Sequence, residues 1–179
     1  TIPGMTVINP SDGVSAKKLL EQAVAMEGPC YVRLGRAKVP VFYEDSDQLT
    51  LGRGNLVRDG KDVTIVATGI MVSEAMAAAE KLKEDGIDAR IIDIHTIKPI
   101  DEEILIKAAQ ETGVTAEEHS IIGGLGSAVA EVIVKNCPVK MAMVGQKDTY
   151  GESGKPDELK KKYGMTAEDI EAAVKNLIG

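Results

Sequence analysis

Three basic side chains follow the second predicted strand and are the first candidates for ligand chemistry. Arg33, Arg36 and Lys38 lie at the end of that strand and in the loop after it. In a parallel sheet this loop would lie at the carboxyl edge, where α/β proteins bind their ligands. A guanidinium group can donate two parallel hydrogen bonds to a phosphate, so the cluster predicts a phosphate site. Ion pairs with the nearby acids Glu44 and Asp45 would explain the same charges without a ligand.

The two histidines are the next candidates, since each stands at the end of a predicted strand. His95 follows one apolar run, and His119 follows Glu117 and Glu118 after another. Such a group has the chemistry of an acid–base catalyst or a metal ligand. No third ligand can be identified, however, and the spacing matches no zinc signature. The favoured interpretation is that each ring binds a backbone carbonyl or a neighbouring group at an interface.

A glycine-rich loop opens one of the predicted helices. Gly124 and Gly126 match the start of a dinucleotide fingerprint, but Val129 stands where the third small residue belongs. The segment 149–156 matches neither a phosphate-binding P-loop nor the nucleophile elbow of hydrolases. The favoured interpretation is that the glycines at 123–126 allow helix and strand to approach closely, or bind an anion at the helix N-terminus.

Composition excludes several classes of function. The chain has 179 residues, 21 basic and 28 acidic, and a net charge of -7. An acidic chain with no basic tract and only one Phe, four Tyr and no Trp is a poor nucleic-acid binder. Its apolar runs, such as 63–72, are too short to span a membrane, and no signal peptide is recognisable. Cys30 and Cys137 are isolated, which is typical of cytoplasmic proteins.

The candidate residues are positioned by alternating strands and helices. Four apolar strand runs separated by helices predict a mostly parallel sheet with helices on both faces, and the Asp59–Gly60 turn predicts a hairpin that adds one antiparallel edge strand. The predicted fold class is therefore α/β, a three-layer α/β/α domain preceded by a partial βαβ piece of a second α/β domain. The predicted strands of these units cover residues 5–8, 30–34, 63–67, 89–94, 114–118 and 139–144.

The polar segment after the first βαβ unit predicts a domain boundary. A single βαβ unit cannot bury both faces of its strands, so residues 1–45 are expected to be the C-terminal remnant of a larger domain. Residues 46–54 are the predicted linker, and residues 55–179 form the second domain.

Five segments, in this order, resemble the transketolase family, and the resemblance covers essentially the whole chain. The first two resemble the end of the pyrimidine-binding domain, and the other three resemble the C-terminal domain. They are residues 2–12 (IPGMTVINPSD), 31–36 (YVRLGR), 59–69 (DGKDVTIVATG), 93–101 (DIHTIKPID) and 117–128 (EEHSIIGGLGSA). The subtype that the chain resembles most is the C-terminal subunit of a split, two-subunit transketolase. Deoxyxylulose-phosphate synthase and the β subunit of 2-oxoacid dehydrogenases share the C-terminal domain and are alternatives.

The resemblance implies an enzyme that uses thiamine diphosphate and Mg²⁺ to transfer a two-carbon ketol unit between sugar phosphates. In this family the cofactor site uses a Gly-Asp-Gly motif and upstream residues that are absent here, so no catalytic, cofactor-binding or metal residue is expected in this chain. The substrate-phosphate Arg carries over to Arg36, four residues before Pro40, with Arg33 as the alternative. The implied partners are an N-terminal transketolase subunit or domain and a second copy of the chain. A stand-alone module that binds an anion or nucleotide at Gly123 and Gly124 is the competing hypothesis.

Overall fold

The computed structural model describes residues 1–36, 38–109 and 112–179, and it has a mixed α/β fold. The strands are β1 (Thr6–Ile8), β2 (Cys30–Val32), β3 (Asn55–Arg58), β4 (Val63–Ala67), β5 (Ala89–Asp93), β6 (Thr96–Lys98), β7 (Thr112–Ser120) and β8 (Met141–Gln146). The helices are α1 (Gly13–Ala25), α2 (Met71–Glu84), α3 (Glu102–Ala108), α4 (Leu125–Asn136), α5 (Pro156–Lys162) and α6 (Ala167–Ile178).

The larger sheet has five strands in the order β3-β5-β4-β7-β8. The strands β5, β4, β7 and β8 are parallel to one another, and β3 pairs with β5 in the antiparallel direction. The predicted parallel sheet with one antiparallel edge strand is therefore confirmed.

Helices cover both faces of this sheet because successive strand residues point to opposite sides. Ile65 and Ile91 pack with α2 and α6 on one face. Their neighbours Val66 and Ile92 pack with α3 and α4 on the other. The result is the expected three-layer arrangement, with two apolar cores separated by the sheet.

The predicted hairpin at Asp59–Gly60 is wrong, since β3 pairs with β5 and not with β4. Both edges of β4 are already occupied by parallel neighbours, β5 and β7. The chain therefore passes over the start of β5, where the backbone N–H groups of Lys61 and Asp62 donate to the Asp88 carbonyl. A Cβ on Gly60 would lie 2.4 Å from the Ala89 carbonyl carbon, so this crossing requires glycine.

The smaller sheet joins the two parts of the chain on either side of the predicted domain boundary, in the order β2-β1-β6. Its parallel strands β1 and β2 flank α1, whose N-cap is Asp12. β6 comes from the later part of the chain and pairs antiparallel to β1, which the sequence did not predict.

Residues 46–54 lie against both neighbouring parts of the molecule. Gln22 of α1 donates to the Leu49 carbonyl, and Leu49 itself is buried. The backbone N–H groups of Gly52 and Gly54 donate to side chains of the second part, those of Thr96 and Asp101.

Candidate functional site

The two candidate arginines lie in different environments. Arg36 is exposed and has no hydrogen-bond or ion-pair partner among the described residues. Arg33 is half-buried, and its Nη2 donates to the Glu118 carbonyl at 2.7 Å. Within the described ranges neither arginine pairs with Glu44 or Asp45, so the alternative that these acids neutralise the cluster receives no support.

Arg33 also borders a cleft where the first part of the chain covers the larger sheet. The chain leaves β4 for α2 on one face and leaves β7 for α4 on the other, which opens a crevice between the carboxyl ends of these strands. A cleft of about 660 Å³ begins here, and its lining includes Asn9, Arg33, Thr68, Glu117 and His119.

The glycine-rich loop at one side of this cleft is already occupied by an acidic side chain, that of Glu117. Its Oε2 accepts from the backbone N–H of Leu125 at 2.6 Å, and its Oε1 accepts from that of Gly126 at 2.8 Å. These groups are the free donors of the first turn of α4. A Cβ on Gly124 would lie 2.0 Å from Glu117 Oε2, so glycine is needed for the close approach.

This contact weighs against the hypothesis of an anion- or nucleotide-binding module at Gly123 and Gly124. Burial raises the pKa of Glu117, although the two backbone donors and the charges of His119 and Arg33 oppose that rise. A buried carboxylate that two backbone N–H groups stabilise leaves this helix N-terminus little room for an external anion.

His119 lies beside this carboxylate and is half exposed. Its Nδ1 is 3.0 Å from the Ser120 carbonyl oxygen and 4.0 Å from Glu117 Oε2. The contact with a backbone carbonyl agrees with the favoured interpretation of the sequence.

His95 is fully buried, and its hydrogen bonds define its tautomer. Nε2 is 3.1 Å from the Asn55 side-chain oxygen, and Nδ1 is 3.1 Å from the Thr96 hydroxyl, which itself accepts from the Gly52 N–H. The ring therefore carries its proton on Nε2 and accepts from Thr96 on Nδ1. Burial lowers the pKa of His95 to about 4, so the ring is neutral at pH 7 and links residues 52–55 to the end of β5.

The described residues contain no metal centre built from protein side chains alone, and the start of α4 offers a diphosphate few free backbone donors. No group of three or more His, Cys, Asp and Glu side chains in the described ranges could hold a metal ion. The N–H groups of α4 that could bind a diphosphate are occupied by Glu117. No chemical step through thiamine diphosphate can therefore be assigned to residues of this part of the protein.

A buried polar cluster that sequence reasoning missed lies at the end of β5. Asp93 is fully buried, and its Oδ2 accepts from the Ser11 hydroxyl at 2.6 Å and from the Tyr43 hydroxyl at 3.0 Å. Asp93 Oδ1 has no partner among the described residues. Burial raises the pKa of Asp93 to about 7, against the effect of the two hydroxyl donors, and nearby Asp12 adds to the rise. The sequence signal that could have indicated this cluster was an acidic residue, Asp93, at the end of an apolar strand.

Comparison with known proteins decides the family. The sequence model of the transketolase C-terminal domain matches residues 52–170. The chain belongs to the transketolase family. The model of the transketolase pyrimidine-binding domain matches residues 1–41, so the resemblance drawn from the five motifs is confirmed in both parts.

The curated relatives of this transketolase chain include subunits with different names. The 6-deoxy-6-sulfo-D-fructose transketolase subunit of a Clostridium species is 49% identical over 171 residues, which are 94% of this chain and 53% of the relative. A transketolase C-terminal section from Methanocaldococcus jannaschii is 48% identical, over 94% of this chain and 54% of the relative. A subunit of the apulose-4-phosphate transketolase of Phocaeicola vulgatus is 43% identical, over 95% of this chain and 55% of the relative. The chain thus spans about half the length of these relatives.

A solved structure described as a split gene transketolase, inactive beta4 tetramer, has the same fold as this transketolase chain. It aligns with a TM-score of 0.96 and 46% identity, over 99% of this chain and 59% of that one. The chain is therefore a transketolase-family C-terminal subunit or a part of one.

In the described ranges no helix is both long and apolar enough to cross a membrane.

Proposed function

We propose that this chain is part of a thiamine-diphosphate-dependent transketolase that transfers a two-carbon ketol unit between sugar phosphates. The observation that carries the proposal is the match of both family domains in sequence order, 1–41 and then 52–170. In the proposal, residues 1–45 end the pyrimidine-binding domain, 46–54 link the domains, and 55–179 form the C-terminal domain.

The cofactor and its Mg²⁺ belong, in this proposal, to the complete enzyme and not to this chain alone. The occupied N-terminus of α4 supports that assignment for the diphosphate. The proposed partners are an N-terminal transketolase subunit and a second copy of the chain, in the cytoplasm. The names of relatives that are subunits of transketolases support the first partner, and the tetramer named for the similar solved structure supports self-association.

Arg36 is the residue proposed to bind the terminal phosphate of the sugar. Its guanidinium is exposed and has no partner in the described ranges, so it can donate to a ligand without first breaking a contact. Arg33 donates to the Glu118 carbonyl and borders the cleft, so its proposed role is to attach the two parts of the chain. The terminal phosphate is remote from the reacting carbonyl, and its binding energy is therefore nearly equal in the ground state and the transition state.

Replacing Arg36 by Ala in the complete enzyme should weaken substrate binding much more than turnover. Loss of a hydrogen bond to a charged group costs about 1.5–3 kcal/mol, so KM for a phosphorylated acceptor should rise about ten- to a hundred-fold with little change in kcat. An unphosphorylated acceptor should be nearly unaffected. Arg36→Lys should rescue only part of the loss, because an ammonium group lacks the planar fork. Steady-state kinetics with both acceptors measure these effects.

Arg33→Ala is the matched control for this assignment. It should lower thermal stability and leave the ratio of the two KM values unchanged. If Arg33→Ala raises KM for the phosphorylated acceptor alone and Arg36→Ala does not, the phosphate-binding residue is Arg33. If neither variant does so, this segment does not bind the substrate phosphate.

A further inference from the structure

The segment that carries Arg36 runs from Arg33 to Tyr43 and is attached to the rest of the molecule at both ends. At its start, the attachment is made by the backbone, because the Arg33 N–H donates to the Ile8 carbonyl at 2.8 Å. At its far end, Tyr43 is buried and the ring of Phe42 packs against the apolar core of the larger sheet. Arg36 lies between these attachments and is exposed.

The far attachment begins with Asp12, the N-cap of α1. One carboxylate oxygen, Oδ1, accepts from the backbone N–H of Ser15, and the other, Oδ2, accepts from those of Phe42 and Tyr43 at 3.0 Å each. Burial alone would raise the pKa of Asp12, but these backbone donors outweigh it and hold the pKa below its ordinary value. The side chain is therefore ionised, and charge-assisted hydrogen bonds fix the backbone of residues 42–43.

The attachment is completed from the other part of the molecule by Asp93. The Tyr43 hydroxyl donates to its Oδ2, so one hydrogen bond joins the segment that carries Arg36 to the end of β5. Ser11 donates to the same oxygen and lies outside that segment. Removing the Tyr43 hydroxyl therefore tests the contact of Asp93 with the segment, and removing the Ser11 hydroxyl tests the packing of Asp93 alone.

We propose that Asp12, Tyr43 and Asp93 form a clasp that positions the segment bearing Arg36 for the substrate's terminal phosphate. The inference rests on the proposed function of Arg36 and adds that Asp93, in the C-terminal domain, helps to set the affinity for phosphate. None of the three touches the substrate; they are positioning residues. Their effect is to keep Arg36 near its bound position before the substrate arrives, which lowers the entropy lost on binding.

Tyr43→Phe tests the clasp in the complete enzyme, because it removes one hydroxyl and keeps the ring that packs beside Phe42. We expect KM for the phosphorylated acceptor to rise about three- to tenfold, with kcat and the KM for an unphosphorylated acceptor unchanged. In an Arg36→Ala background the same substitution should have no further effect on either KM, because the group that it positions is gone.

Ser11→Ala is the matched control, since it removes the other hydrogen bond to the same Asp93 oxygen and should leave both KM values unchanged. The proposal is overturned if Tyr43→Phe leaves KM unchanged, raises KM equally for both acceptors, or has its full effect in the Arg36→Ala background. If Arg36→Ala itself has no phosphate-specific effect, the failure lies in the proposed role of Arg36. If Arg36→Ala has that effect and Tyr43→Phe does not, only the clasp fails.

Discussion

The buried carboxylates Glu117 and Asp93 belong to strands on either side of β4 and have opposite hydrogen-bonding arrangements. Both oxygens of Glu117 accept from backbone N–H groups of the next helix, α4. Among the described residues, Asp93 accepts on one oxygen only, from hydroxyls that come from the first 45 residues. Glu117 therefore stabilises its own domain, whereas Asp93 connects that domain to the segment before it.

The two sites should respond differently to the same change from acid to amide. In Glu117→Gln, the new NH₂ group must face one of two N–H donors, and we expect the free energy of unfolding to fall by about 2 kcal/mol. In Asp93→Asn, the remaining oxygen can accept from both hydroxyls while the NH₂ group replaces the oxygen without a partner. This variant should lie within about 1 kcal/mol of the original protein near pH 6.

Urea unfolding at pH 6 measures both free energies of unfolding. Gly13→Ala is a control substitution that changes neither carboxylate, and its added Cβ would meet nothing within 4 Å. The proposed contrast between the two sites is contradicted if Asp93→Asn lowers the free energy of unfolding as much as Glu117→Gln does. That result would mean that the ionised form of Asp93 is stabilising.

The pH dependence of the free energy of unfolding is a second test of how Asp93 contributes to stability, with a smaller expected effect. Because the pKa of Asp93 is raised from 3.8 to about 7, its protonated form stabilises the fold at low pH, and this contribution is lost as the pH rises through about 7. Asp12 is the neighbouring carboxylate that adds to this effect, and the Tyr43 hydroxyl opposes it. His95 has the opposite effect, because its pKa is lowered from 6.5 to about 4 and its contribution is lost as the pH falls through that range.

Between about pH 4.5 and 6.5, a rise in pH lowers the free energy of unfolding through Asp93 and raises it through His95. Asp93→Asn should remove the first contribution and leave only that of His95. The free energy of unfolding of this variant should rise with pH more steeply than that of the original protein, by up to about 1.4 kcal/mol per pH unit. Thermal melts across this range measure both slopes. Equal slopes would show that Asp93 is ionised throughout.

The sequence predicted what depends on local patterns. Apolar runs predicted β4, β5, β7 and β8, all of which the structure contains. It failed where the outcome depends on distant neighbours. β3 pairs with β5 because β4 has no free edge, and β6 joins β1 across about ninety residues of chain.

The candidate site shows the same division. The basic cluster, the histidines and the glycine loop were visible as residue types, but finding Glu117 as the acceptor at the start of α4 needed the geometry of the strand end. The group of Asp12, Tyr43 and Asp93 is spread over three separate regions of the sequence, so no local pattern could bring it together.

Reconstitution tests the central claim most directly, namely that this chain belongs to a transketolase assembled from two parts. The protein that contains the chain is mixed with an N-terminal transketolase subunit, thiamine diphosphate and Mg²⁺, and ketol transfer from a ketose phosphate to an aldose phosphate is measured. We predict transfer only when both proteins and the cofactor are present, and no micromolar binding of thiamine diphosphate to this chain by itself in calorimetry. Transfer by this chain alone, or tight binding of the cofactor to it, would contradict the claim.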